Sequence, residues 1–449
     1  MDRNNPSEAG LRSFSAFAGW LLLLIPLACR KTLGSTSSLS LGLILAGSPA
    51  LLAINRSYIH ESLFILFSLS GIACLEMAHR VKRPLAWAIT GGVFWGLMAS
   101  TKESWPLVLL CLGIGHGSTN LVLRYHRRLN GPPISIHTPI WLWASGAALL
   151  TAVAMYSSWG RHLPGIRDAL LTFFIYENDP GHSKPWYYFL NLLFCSNRLG
   201  RWLTADSMLI PFVIAGYYAA FRNAAKHPAH LGWAMATLAL IGIHSLIPYK
   251  TPWLMTLPFV GIAFTCSIGV RWLMETRIPQ TLTLATLLIL SVIWVGAGFR
   301  SSLVLPDHRT NRHAYSPTST DLTKMIDRIK SIAALHPDHN DLPIEAIFPE
   351  SSNYWPLPWY LRDFQRTAWH NTVPDQITAA IVIAPATPDI ALSESMKTDY
   401  ISEMRGLRPG VILRLMIRKD LWESLIESKE KPPRSTLTTP DPSETDNRS

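Results

Sequence analysis

Ten apolar stretches separated by short polar turns limit what this chain can fold into more than any other feature of its sequence. They cover residues 14–29, 38–55, 62–78, 85–101, 104–123, 140–157, 203–221, 231–248, 252–271 and 281–298. A membrane-crossing helix needs about 17–25 mostly apolar residues, because in hydrocarbon only a helix or a closed barrel satisfies its own backbone. The expected fold is an all-α polytopic membrane domain of about ten helices over residues 1–300. Charged residues make up 16% of the chain, well below the ~25% of an ordinary soluble domain. After the first stretch comes "CRKTLGS", not a small-residue cleavage site, so it reads as a span and not a signal peptide.

The formal charge of +10 raises nucleic acid as a partner, and the placement of the basic residues argues against it. "CRKT", "HRVKRP", "RYHRR", "FRNAAK" and "RWLMETR" occupy alternate loops, the pattern of loops facing the cytoplasm. The opposite loops, "NRSYIHES", "STKESW", the long 158–202 stretch and "IPYKTPW", then face outward, with Glu61, Glu103, Asp168, Glu177 and Asp179. Both ends of the membrane domain are expected outside, in a cell inner (cytoplasmic) membrane. The 158–202 loop is long enough to be functional rather than a linker. The five cysteines, Cys29, Cys74, Cys111, Cys195 and Cys266, are scattered and form no C-x-x-C pair, so neither a disulfide framework nor a zinc site is expected.

Beyond a linker at 301–317 the pattern changes. "STDLTKMIDRIKSIAAL" places Leu322, Met325, Ile326, Ile329, Ile332 and Ala333 at the spacing of one helix face. "IEAIF", "AAIVIAP" and "VILRLMI" read as strands and "KDLWESLIES" as a closing helix. A small extracytoplasmic α/β domain is expected over 318–427, followed by a disordered tail at 428–449 that has little apolar content to bury.

The outward loops carry the chemistry. "SLIPYKTPWLMTLP" sets Tyr249 and Lys250 between Pro248 and Pro252, and broken helices at membrane depth are tolerated where the backbone lines a cavity or is buried in protein. Asn55-Arg56 and His60-Glu61 lie between two spans, and Lys102-Glu103 between two others. Each has a plainer reading, capping or snorkelling for the first and a mutual ion pair for the second. Glu177, Asp179, His182 and Lys184 precede the aromatics "PWYY". A His among acids can hold a divalent metal, although D-P-G-H is also an ordinary turn, and no cofactor is certain. Arg56, Lys102, Lys184 and Lys250 on one face could form a cationic pocket at the lipid boundary. The anion most available at that depth is a lipid phosphate, whose departure cations stabilise while an acid takes the acceptor proton. "NYWPLPWYLRDF" adds aromatics suited either to carbohydrate stacking or to a proline-fixed packing turn.

The segments "SPALLAINRSYIHESLFILF", "ASTKESW", "GHSKPWYYFL", "SLIPYKTPWL" and "YWPLPWYLRDF" together resemble the bacterial and archaeal flippase-activity-associated membrane protein family. That family is similar to the protein-O-mannosyltransferase-like group of GT-C glycosyltransferases. The resemblance implies a GT-C fold and a polyprenyl-phosphate sugar donor used at the extracytoplasmic face, with a lipid-linked or protein acceptor. It also implies donor-site roles for Arg56, Lys102, His182, Lys184, Tyr249 and Lys250. GT-C proteins open with a helix and a loop bearing the acid usually taken as base. Here "PSEAGLRSFSAFAGWLLLL" resembles the end of that loop, so the first helix and its acid are expected to be missing. Glu61 and Glu103 are then the remaining candidates for the base, and the chain could be inactive alone. The alternative function is a non-catalytic partner or transporter component that binds lipid-linked sugar during glycan export.

Overall fold

The computed structural model describes residues 6–127, 138–175, 182–194, 197–199, 202–204, 206–276, 280–308, 311, 313–314, 317–349, 354–387 and 398–430. It divides into two compact units, Met1–Tyr315 and Ser316–Ser449.

The first unit is helical. Among the described residues, seven helices are long and apolar enough to cross a membrane: Glu8–Ala28, Glu61–Ala78, Trp105–Tyr125, Pro139–Tyr156, Pro228–Leu246, Pro252–Met274 and Leu284–Val304. An eighth span is bent by 59° between Ser35–Gly47 and Pro49–Asn55. The expected unbroken helix over 38–55 is thereby corrected. Ser48 is extended and caps the second piece, its hydroxyl accepting from the Leu51 amide at 3.2 Å, and Pro49 offers no N–H to continue the first. Helices also occupy the remaining two expected stretches, one less apolar and one shorter. Pro84–Thr101 has its apolar residues diluted by Gly, Thr and Trp, and the apolar helix Ser207–Arg222 is short for a span.

Pro252–Met274 is the central helix, with every residue from Met255 to Val270 buried. Its glycines set the packing distance. A Cβ on Gly269 would collide with the Phe212 carbonyl, and one on Gly216 with the Thr265 carbonyl, the close backbone approach that small residues permit between membrane helices. Outward-facing leucines such as Leu142, Leu150 and Leu288 are exposed, as lipid-facing residues must be. Within the 158–202 loop, the helix Pro164–Ile175 buries none of its side chains. A short antiparallel pair, β1 (Asn197–Leu199) and β2 (Trp202–Thr204), follows.

The second unit is a mixed five-stranded sheet with helices. Its strands are β3 (Ile344–Ile347), β4 (Thr367–His370), β5 (Ile381–Pro385), β6 (Tyr400–Arg408) and β7 (Val411–Arg418), in the order β4-β3-β5-β7-β6. β3 is parallel to both β4 and β5, whereas β7 is antiparallel to β5 and β6. The central β5, covered on both faces, is a continuous apolar run. Helix Thr320–Leu335 begins at Ser319, whose hydroxyl accepts from the Asp321 amide. It buries the six residues expected from its periodicity, and Leu421 and Leu425 of Lys419–Glu430 join the same core.

Candidate functional site

Pro248 and Pro252 explain why the chain leaves the helix at Tyr249-Lys250. Pro228–Leu246 stops where Ile247 turns extended ahead of Pro248, and Pro252 opens the next helical turn after an extended Thr251. The backbone freed between the two helices pairs with residues 182–184. Ser183 and Tyr249 form an antiparallel bridge, the Lys184 amide donates to the Pro248 carbonyl at 3.1 Å, and the Lys250 amide donates to the His182 carbonyl at 3.0 Å. "GHSKPWYY" and "YKTPW" are thus stitched together across 66 residues of sequence.

This pairing buries Lys250, which is 2% exposed. Its ammonium donates to the Lys184 carbonyl at 3.3 Å and to the Ile247 carbonyl, and lies 5.9 Å from the centre of the Phe189 ring. An ammonium has three donors and a full charge. Carbonyls satisfy two donors, and among the described residues no carboxylate lies in ion-pair contact with it. Burial accordingly holds its pKa below the ordinary lysine value. Among the described residues the neighbouring Thr251 hydroxyl is buried without a hydrogen-bond partner, as is that of Ser245. The His182 and Tyr249 rings pack at a tilt with centres 5.1 Å apart, and the Lys184 side chain is exposed.

Lys102 belongs to a second cluster. It pairs with Glu61, not with Glu103, in a short contact whose side chains are 5% and 3% exposed. The plainer reading, a mutual pair of Lys102 and Glu103, is not what forms: Lys102 reaches the buried start of Glu61–Ala78, and Glu103 remains exposed. His244 links the clusters, lying within electrostatic reach of Lys102 and edge-on to Phe189 with ring centres 6.5 Å apart. Arg56 is directed elsewhere, donating to the Ser302 carbonyl. Of the four cations expected to share a pocket, two are brought together. Lys184 and Lys250 share the bridge, Lys102 is neutralised, and Arg56 is tied to a carbonyl.

Phe189, His244, Ser245 and Thr251 were not singled out in the sequence. Of these, Phe189 was legible as the end of the "PWYYF" aromatic run, and Thr251 as a polar residue between the prolines. Glu177 and Asp179 lie outside the described residues. Among the described residues no group of three or more His, Cys, Asp or Glu side chains could hold a metal. In the second unit, Tyr354 packs against Trp355 at 5.4 Å and Trp369 at 5.3 Å, and both tryptophans keep an exposed face.

Residues 3–161 match the family model described as dolichyl-phosphate-mannose-protein mannosyltransferase. The structure is similar to ArnT from Cupriavidus metallidurans in the apo state, at 14% identity and a TM-score of 0.53, covering 90% of this chain and 83% of that one. It is equally similar to ArnT bound to undecaprenyl phosphate, at 15% identity and a TM-score of 0.53, covering 91% and 84%. A looser similarity, with a TM-score of 0.45 and 13% identity, is to the oligosaccharyltransferase AglB from Archaeoglobus fulgidus with an inhibitory peptide and a dolichol-phosphate, covering 84% and 58%. No curated protein sequence matches the chain. The chain thus has a GT-C-like fold similar to that of ArnT, and within it residues 3–161 are similar to the dolichyl-phosphate-mannose-protein mannosyltransferases.

Proposed function

We propose that the protein is a multi-pass inner-membrane glycosyltransferase that uses a polyprenyl-phosphate-linked sugar at the extracytoplasmic face, where its second unit also lies. One observation carries the reading: a buried lysine with no carboxylate in contact among the described residues, held by the pairing of two proline-bounded loops. An uncompensated buried charge costs several kcal/mol, and an anionic ligand removes that cost. The ArnT structure with undecaprenyl phosphate supports a lipid phosphate as the anion.

In this reading Lys250 holds the donor phosphate from the protein side and Lys184 meets it from the exposed side, with the Thr251 hydroxyl as a further donor. His182 and Tyr249 line the same bridge. The reaction is a single displacement. An acceptor hydroxyl of a lipid-linked or protein substrate attacks the anomeric carbon, the bond from that carbon to the phosphate oxygen breaks, and the electron pair leaves with polyprenyl phosphate. Lys250 stabilises that charge where it develops. The acceptor proton goes to a carboxylate, and Glu103 is the freer of Glu61 and Glu103.

A second reading, a non-catalytic binder of lipid-linked sugar, is favoured by the Lys102–Glu61 pair, because a buried carboxylate already engaged by an ammonium is not open to an acceptor hydroxyl. Radiolabelled sugar transfer from undecaprenyl-phosphate sugars in membranes containing the full chain separates the two. Transfer that is lost in Lys250→Ala supports the enzyme. Lipid binding without transfer, for every donor and acceptor supplied, supports the binder.

A further inference from the structure

The end of the helical unit remote from Lys250 carries an open cavity of about 710 Å³. Four cationic side chains line it: Lys31, Arg80, Lys226 and Arg271. Two are neutralised in place, Arg80 by Glu76 at 2.6 Å and Arg271 by Glu275 at 2.8 Å. Neither the Lys31 nor the Lys226 ammonium has a carboxylate or hydrogen-bond partner among the described residues. The start of the 19-residue helix Pro228–Leu246 also opens onto the cavity, adding the positive end of a helix dipole. Ile72, Leu112 and Trp233 supply an apolar wall.

Basic loops that only set membrane orientation need no cavity. Here two unneutralised ammoniums and a helix N-terminus converge on a hollow with room for a ligand of many atoms, and one wall of it is apolar. That combination matches a phosphorylated headgroup, a doubly charged anion with several acceptor oxygens. We propose that this cavity is a second phosphate-binding site, separate from the Lys250 bridge, that takes a phosphate or diphosphate group. The two sites stand at opposite ends of Pro228–Leu246, whose 19 residues span about 28 Å at 1.5 Å per residue.

The test is calorimetric titration of the full chain in phosphatidylcholine nanodiscs, with dioctanoyl phosphatidic acid and inorganic pyrophosphate as separate probes. The variants are Lys31→Gln/Lys226→Gln and Lys250→Ala. Both lysines are exposed, so the double variant is expected to keep the wild-type melting temperature. The expected result is a saturable component that survives Lys250→Ala and weakens about tenfold or more in the double variant, as loss of charge-assisted contacts predicts. Competition by pyrophosphate assigns the site to a free phosphate compound; binding of phosphatidic acid alone assigns it to a lipid headgroup. A double variant that binds both probes as wild type does, or a wild type with no component surviving Lys250→Ala, overturns the proposal and leaves the lysines a topological role only.

Discussion

Lys102 and Glu61, 41 residues apart in sequence, form a buried ion pair that ties the end of one membrane helix to the start of another. Both charges are almost fully removed from water, so each depends on the other. Removing one partner of such a pair costs about 3–5 kcal/mol, whereas replacing both by apolar residues is close to neutral. Equilibrium unfolding of the full chain in mixed micelles should show Glu61→Leu and Lys102→Met each strongly destabilising, and the double variant near wild type. Additive losses in the double variant would show that the pair is not a unit.

Lys250 gives a pH dependence with a definite sign. Burial lowers its pKa from the ordinary value of 10.5, and a phosphate monoester, with a second pKa of about 6, is already a dianion above neutrality. Affinity for undecaprenyl phosphate should therefore fall as pH rises through a value below 10.5. Lys250→Arg, which stays charged, should bind with a flatter profile. Without ligand the sign reverses. The folded state binds fewer protons than the unfolded state in that window, so stability rises with pH. Affinity that is level up to the ordinary lysine range would contradict a buried ammonium.

Gly216 and Gly269 mark where two helices touch through their backbones. Gly216→Ala should force the helices apart and lower the melting temperature or abolish a folded yield, because a methyl group has no room beside the Thr265 carbonyl. Gly242→Ala is the control, since nothing lies within 4 Å of a Cβ at that position. Equal behaviour of the two variants in a thermal melt in detergent would refute the packing.

In the second unit, Ile329 is fully buried beneath the sheet and Met404 is exposed on β6. Ile329→Ala should cost about 2–5 kcal/mol, and Met404→Ala should change little. Hydrogen exchange of the β3 and β5 amides in the full chain reads the difference, with protection lost only in the first variant.

Much of this was legible in the sequence, for identifiable reasons. The periodicity of Thr320–Leu335 found its buried face residue by residue, and the apolar runs of β3, β5 and β7 announced themselves as covered strands. β4 and β6 did not. They are the edges of the sheet, and "TAWH" and "YISEMRGLR" carry polar and charged residues on faces that water reaches. The break at Ser48-Pro49 was written in a capping serine followed by proline, but sits inside an otherwise unbroken apolar run. At the site, local pattern identified Lys250 and its prolines. It could not show that Lys102 passes over its neighbour Glu103 to reach Glu61, because that choice is made by tertiary packing of two helix ends. Nor could it show that Phe189 carries the Lys250 ammonium on its ring.

The most direct test of the Lys250 site is the affinity of the purified full chain for undecaprenyl phosphate, read by native mass spectrometry for wild type, Lys250→Ala and Lys184→Ala. Loss of a buried charge-assisted contact should weaken binding about ten- to a hundredfold in Lys250→Ala, with a smaller loss in Lys184→Ala, whose side chain is exposed. Undiminished binding by a folded Lys250→Ala protein would contradict the assignment of Lys250 to the lipid phosphate.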